Sequence, residues 1–329
     1  MSKGPLLEVK NLQKHFPIHG GIFYRQIAKV HAVENVSFTV NAGETVGLVG
    51  ESGCGKSTVG RTILRLYDPT SGSIEFNGVD IASLDAKEMR KQRENLQIIF
   101  QDPFESLNSR HPVGHIIEEP FIIHRPQMTS KERDAEVIRL LRRVGLPESA
   151  RHKYPHEFSG GQRQRIGIAR AIALNPKIII CDEPVSALDV SIQSQVLNLL
   201  LELQEEMNLA YLFIAHDLAV VKHISDRIAV MYLGHIVEFA DADEIYDKPL
   251  HPYTKALISA IPIPDPTKRS HRQILQGEVP TPINPPAGCT FHTRCPIAKE
   301  RCVKERPVLK YHEGSKSHQA ACHYAGADV

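Results

Sequence analysis

A glycine-rich run of eight residues limits what this chain can fold into more than any other part of it. The run is Gly50-Glu51-Ser52-Gly53-Cys54-Gly55-Lys56-Ser57. It fits the G-x-x-x-x-G-K-[ST] phosphate loop, and it stands between a predicted buried strand at 45–49 and a predicted helix at 57–64. Glycines let consecutive backbone N–H groups point at one anion, and the helix N-terminus adds partial positive charge. This context disfavours a chance glycine-rich turn and predicts a nucleotide phosphate site in an α/β fold.

The side chains of this loop suggest separate tasks. Lys56 is expected to reach the β- and γ-phosphates, and the Ser57 hydroxyl is expected to coordinate Mg²⁺. The remaining predicted nucleotide contacts are Gly50, Glu51, Ser52, Gly53, Cys54, Gly55 and Thr58.

A second informative stretch runs from Phe158 to Arg165 and leads into an apolar, alanine-rich segment. Ser159 suits the N-cap of a helix there, and the adjacent glycines allow another group to approach the backbone closely. The residues assigned to this predicted phosphate clamp are Ser159, Gly160, Gly161 and Gln162.

Acidic and polar residues follow three predicted strands. The strand at 177–181 ends in Asp182-Glu183, where Asp182 is placed to hold Mg²⁺ and Glu183 to polarise an attacking water. Gln101 closes the apolar run 96–100, which suits a position near the metal, and His216 closes the run 211–215. An acidic pair at a strand end can be a plain surface turn, and a lone histidine is usually structural. Their close succession in this chain favours a catalytic role.

The order of these motifs resembles that of the ATP-binding cassette family through the first two-thirds of the chain. The order is phosphate loop, Gln101, 159–162, 182–183, 186–189 and His216. The resemblance implies an α/β P-loop NTPase with a RecA-like core, an antiparallel β subdomain and a helical subdomain at about 102–165. It also implies Mg²⁺-dependent ATP hydrolysis, with His216 contacting the γ-phosphate.

Two further expectations come from that resemblance. An aromatic residue upstream of the phosphate loop lies under the adenine, and Phe16 is the first choice for it. Tyr24 competes, because residues 17–29 look like an insertion in that loop. Two cassettes are also expected to face each other head to tail, so that Ser159, Gly160 and Gly161 serve the partner's nucleotide.

Composition limits the class of protein and the kinds of partner that this chain can have. The chain has 329 residues, with 39 basic and 38 acidic ones, so no global field favours nucleic acid or lipid. No apolar run approaches the roughly 18 residues that a membrane-spanning helix needs. The first residues lack the apolar core of a signal peptide. We therefore expect a soluble or peripheral protein of the cytoplasm.

The last 80 or so residues differ from the rest of the chain in their proline and cysteine content. Nine of the 22 prolines fall between Pro249 and Pro286, which predicts an irregular arm. Four cysteines follow, with the spacing C-x5-C-x6-C-x19-C: Cys289, Cys295, Cys302 and Cys322. In a cytoplasmic chain such a cluster binds metal more often than it forms disulfides.

The spacing favours one metal centre without fixing it. Zinc sites usually pair cysteines with two to four residues between them, and this chain has no such pair. Wide gaps and a proline after Cys295 suit a four-iron cluster better. Zinc held by cysteines with His292, His318 or His323 comes next, and free thiols or a disulfide last. Cys54 and Cys181 are interpreted as bystanders.

The arm narrows the resemblance to oligopeptide and dipeptide importers, and among them to the second ATPase subunit of dipeptide importers. The segments that carry it are 101–110, 251–257 and 277–296. It implies an ATP-binding domain at 1–248 and an extension at 249–329 with a [4Fe-4S] cluster. It also implies a paralogous ATPase partner, two integral membrane permease subunits and, indirectly, a peptide-binding protein. The chain would then lie on the cytoplasmic face of the inner membrane.

Other functions remain open from sequence. The cargo is expected to be a dipeptide, with longer peptides, haem or nickel complexes as alternatives. A cassette ATPase that acts on DNA would show coiled-coil heptads or a basic face, and neither is visible. A regulatory cassette without turnover is disfavoured by the presence of Lys56, Asp182, Glu183 and His216.

Overall fold

The structure is a computed structural model that describes residues 4–21, 23–261 and 273–327. The chain forms two compact units. The first comprises the described residues of Met1–Thr39, Thr45–Ala82 and Ala215–Val329, and the second comprises Val40–Glu44 and Ser83–Ile214. The part of the proline-rich arm at 262–272 lies outside the described residues.

The strands, in chain order, are β1 Leu7–Gly20, β2 Arg25–Val40, β3 Thr45–Val49, β4 Ser71–Phe76, β5 Val79–Asp80, β6 Leu96–Ile99, β7 Ile178–Asp182, β8 Ala210–Ala215, β9 Arg227–Tyr232, β10 His235–Asp241, β11 Lys310–Tyr311 and β12 Gln319–Ala320. The α-helices are α1 Lys56–Ile63, α2 Ala86–Gln92, α3 Pro103–Ser106, α4 Val113–His124, α5 Ser130–Arg143, α6 Gly160–Ile172, α7 Val190–Met207, α8 Leu218–Ile224, α9 Ala242–Asp247, α10 Pro252–Ser259 and α11 Glu300–Lys304.

The first unit contains an antiparallel sheet in the order β2-β1-β4-β5. The register of β1 and β4 pairs Leu7 with Phe76 and shifts between Lys10 and Gln13. Residues 17–29, which the sequence suggests to be a loop insertion, instead extend the hairpin: 17–20 end β1 and 25–29 begin β2. This sheet is the predicted antiparallel β subdomain.

A second group of strands in this unit carries the phosphate loop. β3 pairs in parallel with β9, with Val46 opposite Arg227, and β9 pairs antiparallel with β10. β12, from the C-terminal arm, adds to β10 with Glu238 opposite Ala320. β3 is buried along its whole length, as its apolar sequence predicts, so the loop after it starts from a fixed point.

The second unit holds three parallel strands and helices α2 to α7. β6 pairs with β7, Leu96 opposite Ile178, and β7 pairs with β8, Asp182 opposite Ile214. Three consecutive isoleucines begin β7 and suit a strand that is buried on both faces. Parallel strands end at one edge, so the residues that follow β6 and β7 come out on the same side.

Helix boundaries in this unit follow local signals. α5 begins with a capping box in which Thr129 and Glu132 exchange hydrogen bonds, and it buries Val137, Leu140 and Leu141. These apolar residues form its inner face. α2 also begins with a capping box, at Asp85 and Glu88. This second helix was not predicted from the sequence.

The C-terminal arm is more ordered than its proline content predicts. α10 begins with Pro252 in its first turn and His251 as N-cap, so the expectation of an irregular arm is wrong there. Proline at the first helical position lacks only an N–H that would have no partner inside the helix. The described part of the arm belongs to the same compact unit as the phosphate loop. The domain boundary after residue 248 stays a prediction.

In the described part of the chain, no helix has the length and apolarity to cross a bilayer.

We predict that Ile180→Ala in β7 lowers the free energy of unfolding by about 2–5 kcal/mol, because it leaves a cavity among fully buried neighbours. Ile180 has no exposed surface. Leu201→Ala is the control, since Leu201 is 36% exposed on α7 and should change stability by less than about 1 kcal/mol. Urea denaturation measures both, and equal losses would contradict the burial argument.

Candidate functional site

The phosphate loop connects β3 to α1 within the first unit. Gly50, Gly53 and Gly55 adopt φ values of 155°, 79° and 107°. The turn of the loop is closed by the Cys54 N–H, which donates to the Glu51 carbonyl at 3.3 Å. Gly55 caps α1 with its backbone alone. The loop thus has the strand–loop–helix form that the motif predicts, with a helix N-terminus facing the predicted anion.

Lys56 points back into the loop. Its Nζ donates to the Gly50 carbonyl at 2.8 Å and to the Glu51 carbonyl at 3.1 Å, and the residue is 4% exposed. The Lys56 ammonium group thus donates to backbone carbonyls. The motif predicts that it donates to phosphate oxygens when a nucleotide is bound. Ser57 and Thr58 follow in the first turn of α1.

Two of these glycines leave no room for a side chain. A Cβ at Gly50 would lie 2.1 Å from the Met231 carbonyl oxygen, and one at Gly55 would lie 2.1 Å from the Ala32 carbonyl oxygen. A Cβ at Gly53 would meet nothing within 4 Å. The backbone of the loop is packed on β2 and β9 at its two ends and open at its middle.

The C-terminal arm holds the loop at Glu51. The guanidinium of Arg294 donates to both Glu51 carboxylate oxygens, at 2.7 and 3.1 Å, and the Arg294 side chain is 8% exposed. The Glu51 N–H donates to the Tyr253 hydroxyl at 2.8 Å, and Tyr253 is fully buried. Tyr253 and Phe291 pack with ring centroids 5.4 Å apart. Glu51 is therefore held in place by two segments of the arm, 251–257 and 292–296.

In the second unit, Glu183, which is expected to polarise the attacking water, forms a hydrogen bond with Gln101, which is expected near the metal. Gln101 Nε2 donates to Glu183 Oε2 at 3.0 Å. Glu183 has φ 48°, uncommon for a residue with a side chain, and its N–H donates to the Ile214 carbonyl at 3.0 Å. Asp182, the last residue of β7, is 1% exposed. The structure thus brings Gln101 and Glu183 together at the carboxyl ends of β6 and β7.

The predicted clamp lies at the N-terminus of α6, also in the second unit. Ser159 and Gln162 form a capping box: the Ser159 N–H donates to Gln162 Oε1 at 3.0 Å, and the Gln162 N–H donates to Ser159 Oγ at 3.4 Å. A Cβ at Gly161 would lie 2.4 Å from Cγ2 of Ile192. Part of the need for glycine here is therefore packing against α7.

The remaining predicted residues of the nucleotide site lie in the first unit. His216 is exposed and directly follows β8. Phe16 is half-buried on β1 and meets the edge of Tyr67 at 5.3 Å, whereas Tyr24 is 77% exposed and stacks on His19. The choice between Phe16 and Tyr24 as the adenine aromatic stays a prediction.

The four clustered cysteines line one small cavity, of about 10 Å³, in the first unit. Burial raises the pKa of Cys289 and of Cys295 to about 11, and it raises that of Cys322. The neighbouring thiols add to each shift, because they would repel a thiolate. The arrangement is costly for bare thiolates and suits a cationic centre.

The spacing of the thiols bears on which centre fits. Thiolates around one tetrahedral zinc ion lie within roughly 4 Å of one another, given Zn–S bonds of about 2.3 Å. Among the described residues, which include all four cysteines, no three of these sulfur atoms lie within 4.8 Å of one another. Each nearby histidine also has a protein acceptor for one ring nitrogen: the Cys289 carbonyl for His292, Glu238 for His318 and the Glu305 carbonyl for His323.

Sequence reasoning missed the contacts that join the arm to the phosphate loop. Arg294 and Glu51 are 243 positions apart, and Tyr253 and Glu51 are 202 apart. The motifs containing Arg294 and Tyr253 indicate a subfamily, and they do not by themselves indicate a contact with the loop. A charged residue between two clustered cysteines was the one signal that could have pointed to it.

We predict that Gly55→Ala lowers both the unfolding temperature and the affinity for ATP, because its Cβ clashes with the Ala32 carbonyl. Gly53→Ala is the matched control: it has the same kind of positive φ but open space, so it should show only the backbone cost of about 1–2 kcal/mol. Thermal unfolding and titration with a fluorescent ATP analogue measure the two effects. Equal losses in both variants would refute the packing argument.

Two regions of the chain match known families. Residues 33–186 match the family described as ABC transporter, and residues 237–302 match the oligopeptide/dipeptide transporter C-terminal region. The oligopeptide transport ATP-binding protein AppF of Bacillus subtilis is 57% identical over 321 residues, covering 97% of each chain. The oligopeptide transport ATP-binding protein OppF of Salmonella typhimurium is 54% identical, covering 96% of this chain and 95% of the relative.

Solved structures of ATP-binding cassettes have the same fold as this chain. The ATP-binding cassette MJ0796, determined as a dimer bound to ADP and Pi, is 30% identical with a TM-score of 0.64, covering 72% of this chain and 98% of that one. CbiO1 of Clostridium perfringens, part of a cbiONQ complex, is 28% identical with a TM-score of 0.63, covering 74% of this chain and 92% of that one. The predicted cassette fold is confirmed. The chain belongs to the ABC transporter family, in the group of ATP-binding proteins that carry the oligopeptide/dipeptide transporter C-terminal region.

Proposed function

We propose that this chain is the ATP-hydrolysing subunit of a peptide importer. The observation that carries the proposal is its similarity, over nearly the full length, to oligopeptide transport ATP-binding proteins. The phosphate loop, the Gln101–Glu183 pair and the capped α6 helix supply the expected catalytic groups. The names of these relatives specify oligopeptides, so a dipeptide cargo stays a prediction.

Each group has a task that follows from its chemistry. The N–H groups of the phosphate loop and the Lys56 ammonium bind the triphosphate. Glu183 polarises the attacking water and accepts its proton, and Gln101, already bonded to Glu183, orients that carboxylate. His216 contacts the γ-phosphate. Phosphoryl transfer needs chiefly positioning and charge stabilisation, and these groups provide both.

Mg²⁺ would be held by Ser57, Gln101 and Asp182. Their hydroxyl, amide and carboxylate oxygens are the hard donors that this ion prefers. When bound, Mg²⁺ neutralises charge that develops on the phosphate oxygens.

ATP binding would close a head-to-tail dimer of cassettes. The N-terminus of α6, with Ser159 and Gly160, presents backbone N–H groups to the γ-phosphate of the partner's nucleotide. Hydrolysis removes that anion and lets the dimer open. We propose a paralogous ATPase as the other half, because importers of this group use two different ATPase chains.

The assembly would also include two integral membrane permease subunits, with a peptide-binding protein delivering cargo on the far side. This chain would lie on the cytoplasmic face of the membrane as a peripheral subunit. A cassette ATPase acting on DNA is the alternative. The near balance of 39 basic and 38 acidic residues and the match at 237–302 both speak against it.

We propose further that the four cysteines hold a [4Fe-4S] cluster. Its support is a shared cavity lined by all four thiols, in which no three of the four sulfur atoms lie within 4.8 Å of one another. A cluster of four irons holds its thiolates farther apart than one ion does. It also supplies the positive charge that buried thiolates need.

Glu183→Gln should reduce ATP turnover by at least about 100-fold, because an amide cannot accept the proton of the attacking water. The same variant should accumulate as an ATP-bound dimer with its partner chain, measured by size-exclusion chromatography in the assembled complex. Glu202→Gln, an exposed residue of α7, is the matched control and should turn over normally. Unchanged turnover in Glu183→Gln would contradict the assignment.

Protein purified without oxygen should be brown, with a broad visible absorbance and about four iron atoms per chain. Cys302→Ser should lose the iron and the colour, because Cys302 lines the shared cavity. Cys54→Ser should keep both, since Cys54 lies in the phosphate loop. Colourless protein that contains zinc would rule the cluster out.

A further inference from the structure

Two histidines and a glutamate converge on β1 and β2, apart from the cysteines. His15 directly precedes Phe16, the first choice for the adenine aromatic, and His31 precedes Ala32, on which Gly55 packs. Nε2 of His15 lies 2.5 Å from Oε1 of Glu34, and Nδ1 of His31 contacts the same oxygen. The two imidazole centroids are 4.6 Å apart. Within the described ranges, this is the one place where three ligand atoms of His, Cys, Asp or Glu lie within 4.8 Å of one another.

The backbone of β2 makes this convergence. In a regular strand, side chains three residues apart point to opposite faces. In β2 the His31 N–H donates to the Pro282 carbonyl at 2.9 Å, and the Glu34 N–H donates to the Gly234 carbonyl at 2.8 Å. These bonds tie β2 to two other segments of the same unit. They fix the backbone at His31 and Glu34, the two residues of β2 whose side chains meet at one Glu34 oxygen.

Burial and charge suit a cation. The side chains of His15, His31 and Glu34 are 13%, 23% and 14% exposed, so an ion can enter and still be largely shielded from water. Both imidazoles contact the same Glu34 oxygen, so the carboxyl group lies between two nitrogen donors.

We propose that His15, His31 and Glu34 form a binding site for a divalent transition-metal ion of the zinc class. Two imidazole nitrogens and one carboxylate oxygen are a donor set that zinc accepts, with a water in the fourth position. Nitrogen donors discriminate against Mg²⁺, and the lack of a thiol in the set distinguishes this site from the cysteine cavity. With metal–ligand bonds of about 2.0–2.2 Å, the donor atoms need to separate by only about 1 Å.

Two neighbouring groups define the electrostatics of this site. Burial and the adjacent Arg306 hold the pKa of His235 at about 4, so His235 adds no charge at neutral pH. Lys29 is exposed, and its Nζ lies 3.4 Å from Nδ1 of His15. Metal binding through Nε2 keeps a proton on Nδ1 and ends that contact. Lys29 therefore opposes the bound ion.

Co²⁺ is the probe for the test, because its visible spectrum distinguishes thiolate ligands from nitrogen and oxygen ligands. Titration of the chelator-washed full chain should show a Co²⁺ site without sulfur-to-metal charge-transfer bands. His31→Ala and Glu34→Gln should each weaken that site by at least about tenfold. His19→Ala is the control, since His19 lies on the same strand and stacks on Tyr24.

Lys29→Met keeps the proposal falsifiable if a ligand variant fails to fold. Removing the opposing ammonium should tighten Co²⁺ binding several-fold, and damage to the fold cannot produce such a gain. The proposal is overturned if His31→Ala and Glu34→Gln bind Co²⁺ as tightly as the unaltered chain. It is also overturned if all bound Co²⁺ shows thiolate bands, or if Lys29→Met leaves the affinity unchanged.

Discussion

The pairing of Arg294 with Glu51 is the interaction on which the shape of the phosphate loop depends. The loop needs glycines to turn, and glycine by itself leaves the backbone free to adopt other conformations. Two bonds from one guanidinium and one bond to the Tyr253 hydroxyl remove that freedom at the residue after Gly50. Because the guanidinium is mostly buried, its desolvation is costly, and the bidentate geometry offsets that cost.

A buried carboxylate keeps the arm in place to make this pairing. Glu238 on β10 has no exposed surface. It accepts hydrogen bonds from the N–H groups of Leu250 and His251, and Nε2 of His318 lies 2.7 Å from its Oε1. Each partner satisfies part of a charge that would be expensive to bury alone. The start of α10 and the β11–β12 hairpin are thus fastened to the sheet that also carries β3.

The sequence predicts the helices and strands of this chain better than the contacts between distant segments. β7 and α5 follow from local patterns, a run of β-branched residues and an apolar spacing of three and four. The sequence also predicts polar side chains at the ends of β6 and β7, but not that Gln101 donates to Glu183. Proline content alone predicts an irregular arm and misses α10, because proline at the first helical turn does not break a helix. The Arg294–Glu51 pair and the convergence of His15, His31 and Glu34 depend on tertiary packing of distant segments, which no local pattern encodes.

The position of Glu51 also has an electrostatic consequence. A carboxylate beside a site for a triphosphate would repel it, and that repulsion is strong where water is scarce. Arg294 neutralises the carboxylate, so an acidic side chain can stand in an anion cradle. An identical loop grafted onto a cassette without this arm would leave an unpaired Glu51 carboxylate beside its nucleotide. The C-terminal arm therefore supplies the counterion for an acidic residue of the phosphate loop.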